Sequence, residues 1–89
     1  MNTVGIKVRN LSGIEARRGF GGVVTTVITP NSLASDLITP GDLIIAVNHA
    51  QISNSNEFYV QLAASVPLQE TIIHLIREGQ PLRVILPKL

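Results

Sequence analysis

Thr39-Pro40-Gly41-Asp42-Leu43-Ile44-Ile45-Ala46-Val47-Asn48 is the stretch whose reading decides the fold. Proline presets one turn residue and glycine accepts a positive φ at the next, so Pro40-Gly41 marks a turn. The apolar run Leu43 to Val47 is too short for a stable helix and rich in β-branched residues. It predicts a strand buried on both faces. Asn48 ends the run with a side chain that tolerates left-handed geometry. A turn, a central strand and a second turn this close together belong in the middle of a small β-rich domain.

The chain has 89 residues, of which 45% are hydrophobic and 15% charged, a balance that is globular rather than disordered. Residues 1–89 are therefore expected to form one domain, burying roughly 60–65% of the unfolded surface. With two Phe, one Tyr and no Trp, the core must be mainly aliphatic. Seven basic and six acidic side chains leave a net charge of +1. No basic stripe is present, which argues against a nucleic-acid partner. Cysteine is absent, so disulfides say nothing about compartment. No apolar run approaches the ~20 residues of a membrane span. No charged-then-apolar leader follows Met1, so no secretory signal is expected in this stretch.

Working outward from the central strand, residues 3–9 alternate after Gly5. Ile6 and Val8 fall on one face, Lys7 and Arg9 on the other, as in a half-solvated edge strand. Gly5 allows a turn or a close approach by another group. Ser12 and Glu15 have capping-box spacing, which predicts a short helix ending at Gly19. Gly21-Gly22 reads as a flexible joint before a second strand, Val23 to Ile28. Ser32 is expected to cap a single helical turn through Leu37. Beyond Asn48, the residues Asn48 to Gln51 turn the chain into a brief extended piece at Ile52. Asn54 and Glu57 form a second capping box, predicting a helix from Ser55 to about Ala64 with Phe58 and Leu62 on one face. Thr71 to Arg77 and Leu82 to Leu86 form a hairpin around Glu78-Gly79-Gln80. The expected class is α+β, mainly β: a bent antiparallel sheet or partly open barrel of about five strands, with two to three short helices covering its ends.

Pro40-Gly41-Asp42-Leu43-Ile44-Ile45-Ala46-Val47-Asn48 resembles the most recognisable segment of PDZ domains. Val23 to Val27 followed by Pro30-Asn31-Ser32-Leu33-Ala34 is similar to the family's strand and Pro-Gly-Ser-x-Ala turn. Asn54 to Leu62 matches the groove helix, and Arg77-Glu78-Gly79-Gln80 the last hairpin. The order of elements is similar to PDZ domains of the bacterial HtrA/Deg serine proteases, in which the peptide-binding strand comes first. The opening Gly5 to Ser12 most resembles the second PDZ domain of such proteases. Asn31 and Leu33 depart from the usual Gly and Pro, residues 34–40 are one residue short, and Thr3-Val4-Gly5-Ile6 replaces a more aromatic binding loop.

The resemblance implies a non-catalytic module of a longer periplasmic protease, recognising C-terminal or unfolded peptide segments. It would regulate or assemble that protease. The edge strand supports this chemically, since a peptide can add a strand to its backbone groups. Successive amides beside Gly5 would make an anion-binding nest for a terminal carboxylate. By family position, Val4, Ile6, Tyr59 and Leu62 would line the pocket for the last side chain, with Ser55 near the helix start and Lys7 and Val8 along the strand. Alternatively, Val4 and Ile6 are ordinary core and the domain docks on its own protease domain or a neighbouring subunit. The mean hydropathy of +0.33 motivates that alternative. A site-2-type metalloprotease, a C-terminal processing protease or a secretion component are other possible parents.

Lys7 and Arg9 either favour acidic ligand residues or simply solvate the edge. Arg17-Arg18 complement the dipole of the first predicted helix, or contact a partner. His49 and His74 lack metal-ligand spacing, and no Gly-x-Ser-x-Gly occurs, so neither a metal, another cofactor nor a catalytic site is expected in this chain.

Overall fold

The structure, a computed structural model, describes residues 5–13, 21–66 and 68–87. Within them the chain runs β1 (Ile6–Asn10), β2 (Val23–Ile28), β3 (Leu43–Val47), β4 (Ala50–Gln51), α1 (Ser55–Ser65), β5 (Thr71–Arg77) and β6 (Gln80–Leu86). All pairings are antiparallel, and the strand order β1-β2-β3-β5-β6 puts β3 in the centre. One margin of β3 is shared, with β2 pairing at Leu43 and Ile44 and β4 at Ala46 and Val47. Among the described residues, β1 and β6 each pair with one neighbour and form the two margins of the sheet. The helix expected after Ser12, with Glu15, Arg17 and Arg18, lies outside the described residues.

Two irregularities bend the sheet. Between β1 and β2 the register shifts at Lys7/Val8, leaving Thr26 as an extra residue, and between β3 and β5 it shifts at Ile44/Ala46. A bulge adds one residue, so it also changes which side chains point inward beyond it. In β3 this brings Val47, rather than Ala46, onto the core face with Ile44. Leu43, Ile45 and Ala46 are only half-buried. The expectation of a strand buried on both faces is thus corrected: β3 is central in its hydrogen bonding but only one of its faces meets the core.

The Pro40-Gly41 turn takes the expected form, with positive φ at Gly41. It is stitched to β2, where the Gly41 N–H donates to the Thr25 carbonyl (2.8 Å) and the Thr25 N–H to that of Asp42 (2.9 Å). Asp42 bonds locally, accepting from the Thr39 N–H (2.9 Å) and hydroxyl (3.1 Å). It also takes Arg77 Nε (2.9 Å) and Nη2 (2.7 Å) from the end of β5.

Three local expectations change. Ser32 is no helix cap, because its hydroxyl donates backwards to the Thr29 carbonyl (2.7 Å) and residues 30–37 form successive turns. Gly22 is not a loose joint but a packed, buried position at φ +105, lying against the backbone of Ile44. β6 begins at Gln80, two residues before the expected start, since the last hairpin turns on Glu78 and Gly79 alone, both at positive φ. Pro81 is tolerated within the strand because, among the described residues, β6 pairs with β5 alone and forms a margin of the sheet.

Asn54 caps α1 by accepting from the Glu57 N–H (2.9 Å), and Glu57 reaches back to the Ser53 N–H (2.7 Å). Phe58 and Leu62 project from α1 into a core otherwise built from Ile, Val, Leu and Ala of β1, β2, β3, β5, β6 and the connecting turns. Asn48 joins these layers. At φ +55 it starts the β3–β4 hairpin, its Oδ1 accepts from the Ile72 N–H (2.9 Å), and its Nδ2 donates to Ser65 Oγ (2.9 Å), itself bonded to Thr71 Oγ1 (2.7 Å). Asn48→Gly keeps the turn but loses two side-chain hydrogen bonds, an expected cost of about 1 kcal/mol. Asn48→Ala adds left-handed strain and should cost about 2 kcal/mol. Urea denaturation midpoints should fall in the order wild type, Gly variant, Ala variant; the reverse order of the variants would show that the backbone geometry is not limiting.

Candidate functional site

The N-terminal half of β1 supplies one wall of a surface pocket. The pocket encloses about 290 Å³ and is lined by Gly5, Ile6, Lys7, Val27, Thr29 and Tyr59. Gly5 sits at φ +86 against the side chain of Ser32, where a Cβ would collide. The close approach that a glycine was expected to permit is therefore made by a residue of the same chain.

The direction of each backbone group follows from its peptide plane. The Gly5 carbonyl accepts from the Thr29 N–H (2.8 Å), so it faces β2. In a trans peptide the next N–H points the opposite way, which turns that of Ile6 away from β2. Likewise the Lys7 carbonyl accepts from the Thr26 hydroxyl (3.0 Å) on the β2 side, so the Val8 N–H faces outward. It donates to Tyr59 Oη across the groove (2.9 Å). At the far end of β1, Asn10 Oδ1 accepts from the Ser55 N–H (2.7 Å), tying the start of α1 to the strand. The groove thus lies between β1 and α1, open at Gly5 and cross-linked at Val8 and Asn10.

Of the residues expected at the site, Gly5, Ile6, Lys7 and Tyr59 are brought together around the pocket. Ile6 also belongs to the core, at 1% exposure. The Val8 side chain is buried while its N–H faces the groove. Ser55 lies at the Asn10 end, away from the pocket. Leu62 is buried in the core and is not among the residues lining the pocket. Val4 lies outside the described residues. Thr29, Val27 and Asn10 were not anticipated; each reaches the site only through pairing of β1 with β2 or with α1, which no local pattern reveals.

A solved structure, the HtrA3 PDZ domain bound to a phage-derived ligand (FGRWV), superposes with a TM-score of 0.79 at 20% sequence identity, covering 94% of this chain and 81% of that one. The chain has the PDZ fold. No family model matches the sequence, and no curated protein does. In PDZ terms, the opening resemblance holds for architecture: the turn at Pro40, the central strand, the late helix and the final hairpin occupy the places expected of them. PDZ domains are non-catalytic modules. Among the described residues no cluster of His, Asp and Glu is arranged to hold a metal.

Proposed function

We propose that this PDZ domain binds peptides by strand addition along β1, and serves as the recognition or regulatory module of a longer HtrA/Deg-type serine endopeptidase in the periplasm. The observation that carries this reading is the pocket at Gly5–Lys7, adjoining a strand margin whose Ile6 and Val8 amides point toward α1. A C-terminal residue entering the pocket would bury its side chain against Ile6 and Tyr59, and its backbone would continue the sheet. Lys7 and Arg9 are exposed beside this path, a setting that favours acidic side chains upstream in the ligand. The permuted order of elements and the likeness to an HtrA3 PDZ domain support the choice of protease family.

Three or four ladder hydrogen bonds at ~1 kcal/mol each and one buried side chain at ~2 kcal/mol must offset the cost of association. Binding in the micromolar range is therefore expected. Titrating the domain with FGRWV, followed by amide NMR, should shift resonances of residues 5–9 and 55–62. Absence of shifts at millimolar peptide, or shifts confined to other elements, would overturn the reading.

A second reading rests on the opposite margin. Leu82 and Ile85 of β6 are 40% and 49% exposed, and among the described residues β6 pairs with β5 alone. That strand would suit docking on the protease domain or a neighbouring subunit. Small-angle scattering of the full-length protein with and without this domain tests it, since loss of assembly on deletion is the expected result.

A further inference from the structure

We infer that Tyr59 is a latch on the peptide groove: its hydroxyl occupies the Val8 amide in the free domain, and a ligand must displace it to pair with β1 beyond the pocket. This rests on the peptide-binding reading above and adds to it a residue that controls how much of the strand a ligand can use.

Four observations meet at this residue. The Val8 N–H faces the groove because the carbonyl of the same peptide unit is turned toward Thr26. Its acceptor is the Tyr59 hydroxyl at 2.9 Å, a contact between residues 51 positions apart. The Tyr59 ring is held by an edge contact with the fully buried Phe58, with ring centroids 5.4 Å apart and planes at 66°, so the hydroxyl is aimed rather than loose. Tyr59 also lines the pocket at Gly5–Lys7, which puts one side chain at both the first and the second place a ligand would bind.

Strand addition uses alternate residues of the receiving strand, here Ile6 and then Val8. A ligand whose last residue enters the pocket at Ile6 next needs the Val8 amide for an upstream carbonyl. That amide already has an acceptor, so forming the second rung exchanges one hydrogen bond for another and contributes little net affinity. The wild-type groove consequently reads the end of a peptide strongly and its upstream backbone weakly. Further along, the Ser55 N–H bonds the Asn10 side chain and ties the far end of the groove to α1 without occupying a β1 amide.

The test is Tyr59→Phe, which keeps the ring and removes only the hydroxyl. Three outcomes separate the possibilities. FGRWV should bind the variant about five-fold more tightly than wild type, the gain of one unopposed hydrogen bond. In the free domain, the Val8 amide should exchange with deuterium faster in the variant and regain protection with peptide. Equal or weaker binding by the variant, or unchanged Val8 exchange, would overturn the latch while leaving the peptide-binding reading intact. Binding by neither protein would overturn both. If the variant does not fold, the single tyrosine of the chain provides a wild-type measurement. The 13Cζ resonance of labelled Tyr59 should move on saturation with peptide, and a stationary resonance would dismiss the latch.

Discussion

Gly22→Ala is expected to destabilise the domain by about 3–4 kcal/mol. Two penalties act together. Gly22 holds φ +105, which an L-residue with a Cβ rarely adopts. The added Cβ would also run into the Ile44 carbonyl oxygen, a backbone atom that cannot turn aside. Relieving the collision means moving β2 away from β3 just where Val23 pairs with Ile44, both of which are fully buried. Domains of this size are stable by only ~5–10 kcal/mol, so a melting temperature lower by about 15 °C or more is expected. Gly21→Ala is the control, because a Cβ there meets nothing within 4 Å. A Gly22 variant as stable as the Gly21 variant would show that the approach of the strands is not tight in solution.

Arg77→Met should cost about 3 kcal/mol near neutral pH, and about twice as much as Asp42→Ala. Asp42 is 2% exposed, whereas about a third of the Arg77 side chain meets water. Removing the arginine strands a buried carboxylate with only Thr39 as partner. Removing the aspartate leaves a guanidinium that can turn outward and still reach the Leu37 carbonyl (3.0 Å). The estimate sits at the low end for broken buried pairs because of that solvent access.

The pH dependence follows from the same pair. Burial pushes the Asp42 carboxyl up, but the hydrogen bonds and charge of Arg77, with those of Thr39, outweigh it and hold the carboxyl below its ordinary value. A lowered folded value means the stabilisation is complete above the unfolded carboxylate value of ~3.9 and is lost as pH falls through the folded one. Without Arg77 only the Thr39 hydrogen bonds oppose the burial penalty, so acid weakens the variant less than it weakens the wild type. The stability gap measured by urea denaturation should narrow between pH 6 and pH 3. A constant gap would mean that the Arg77 effect is packing and not charge.

Wherever structure is set by neighbours in the chain, the sequence was legible. β2 and β3 span the residues their β-branched runs predict, β5 likewise, and α1 starts at the capping signal of Asn54 and Glu57. Capping, turn geometry and β propensity act over a few residues and leave a local signature. The glycine opening β1 and the polar–apolar alternation of Ile6 to Arg9 drew attention to the strand margin for the same reason. What was misread depends on partners elsewhere. Ser32 looks like a cap in isolation but spends its hydroxyl on Thr29.

By itself, then, the chain's order of residues determined an α+β fold with Leu43–Val47 at its centre and a half-solvated strand near its start. Tertiary structure decided that the bulges bring Val47 inward, that Arg77 reaches Asp42 across 35 residues, and that Tyr59 closes on Val8 across 51. Such contacts carry no periodicity or spacing of their own. They arise only when hydrogen-bond register and side-chain packing place distant residues within 3 Å, as the Tyr59 hydroxyl is placed on the Val8 amide.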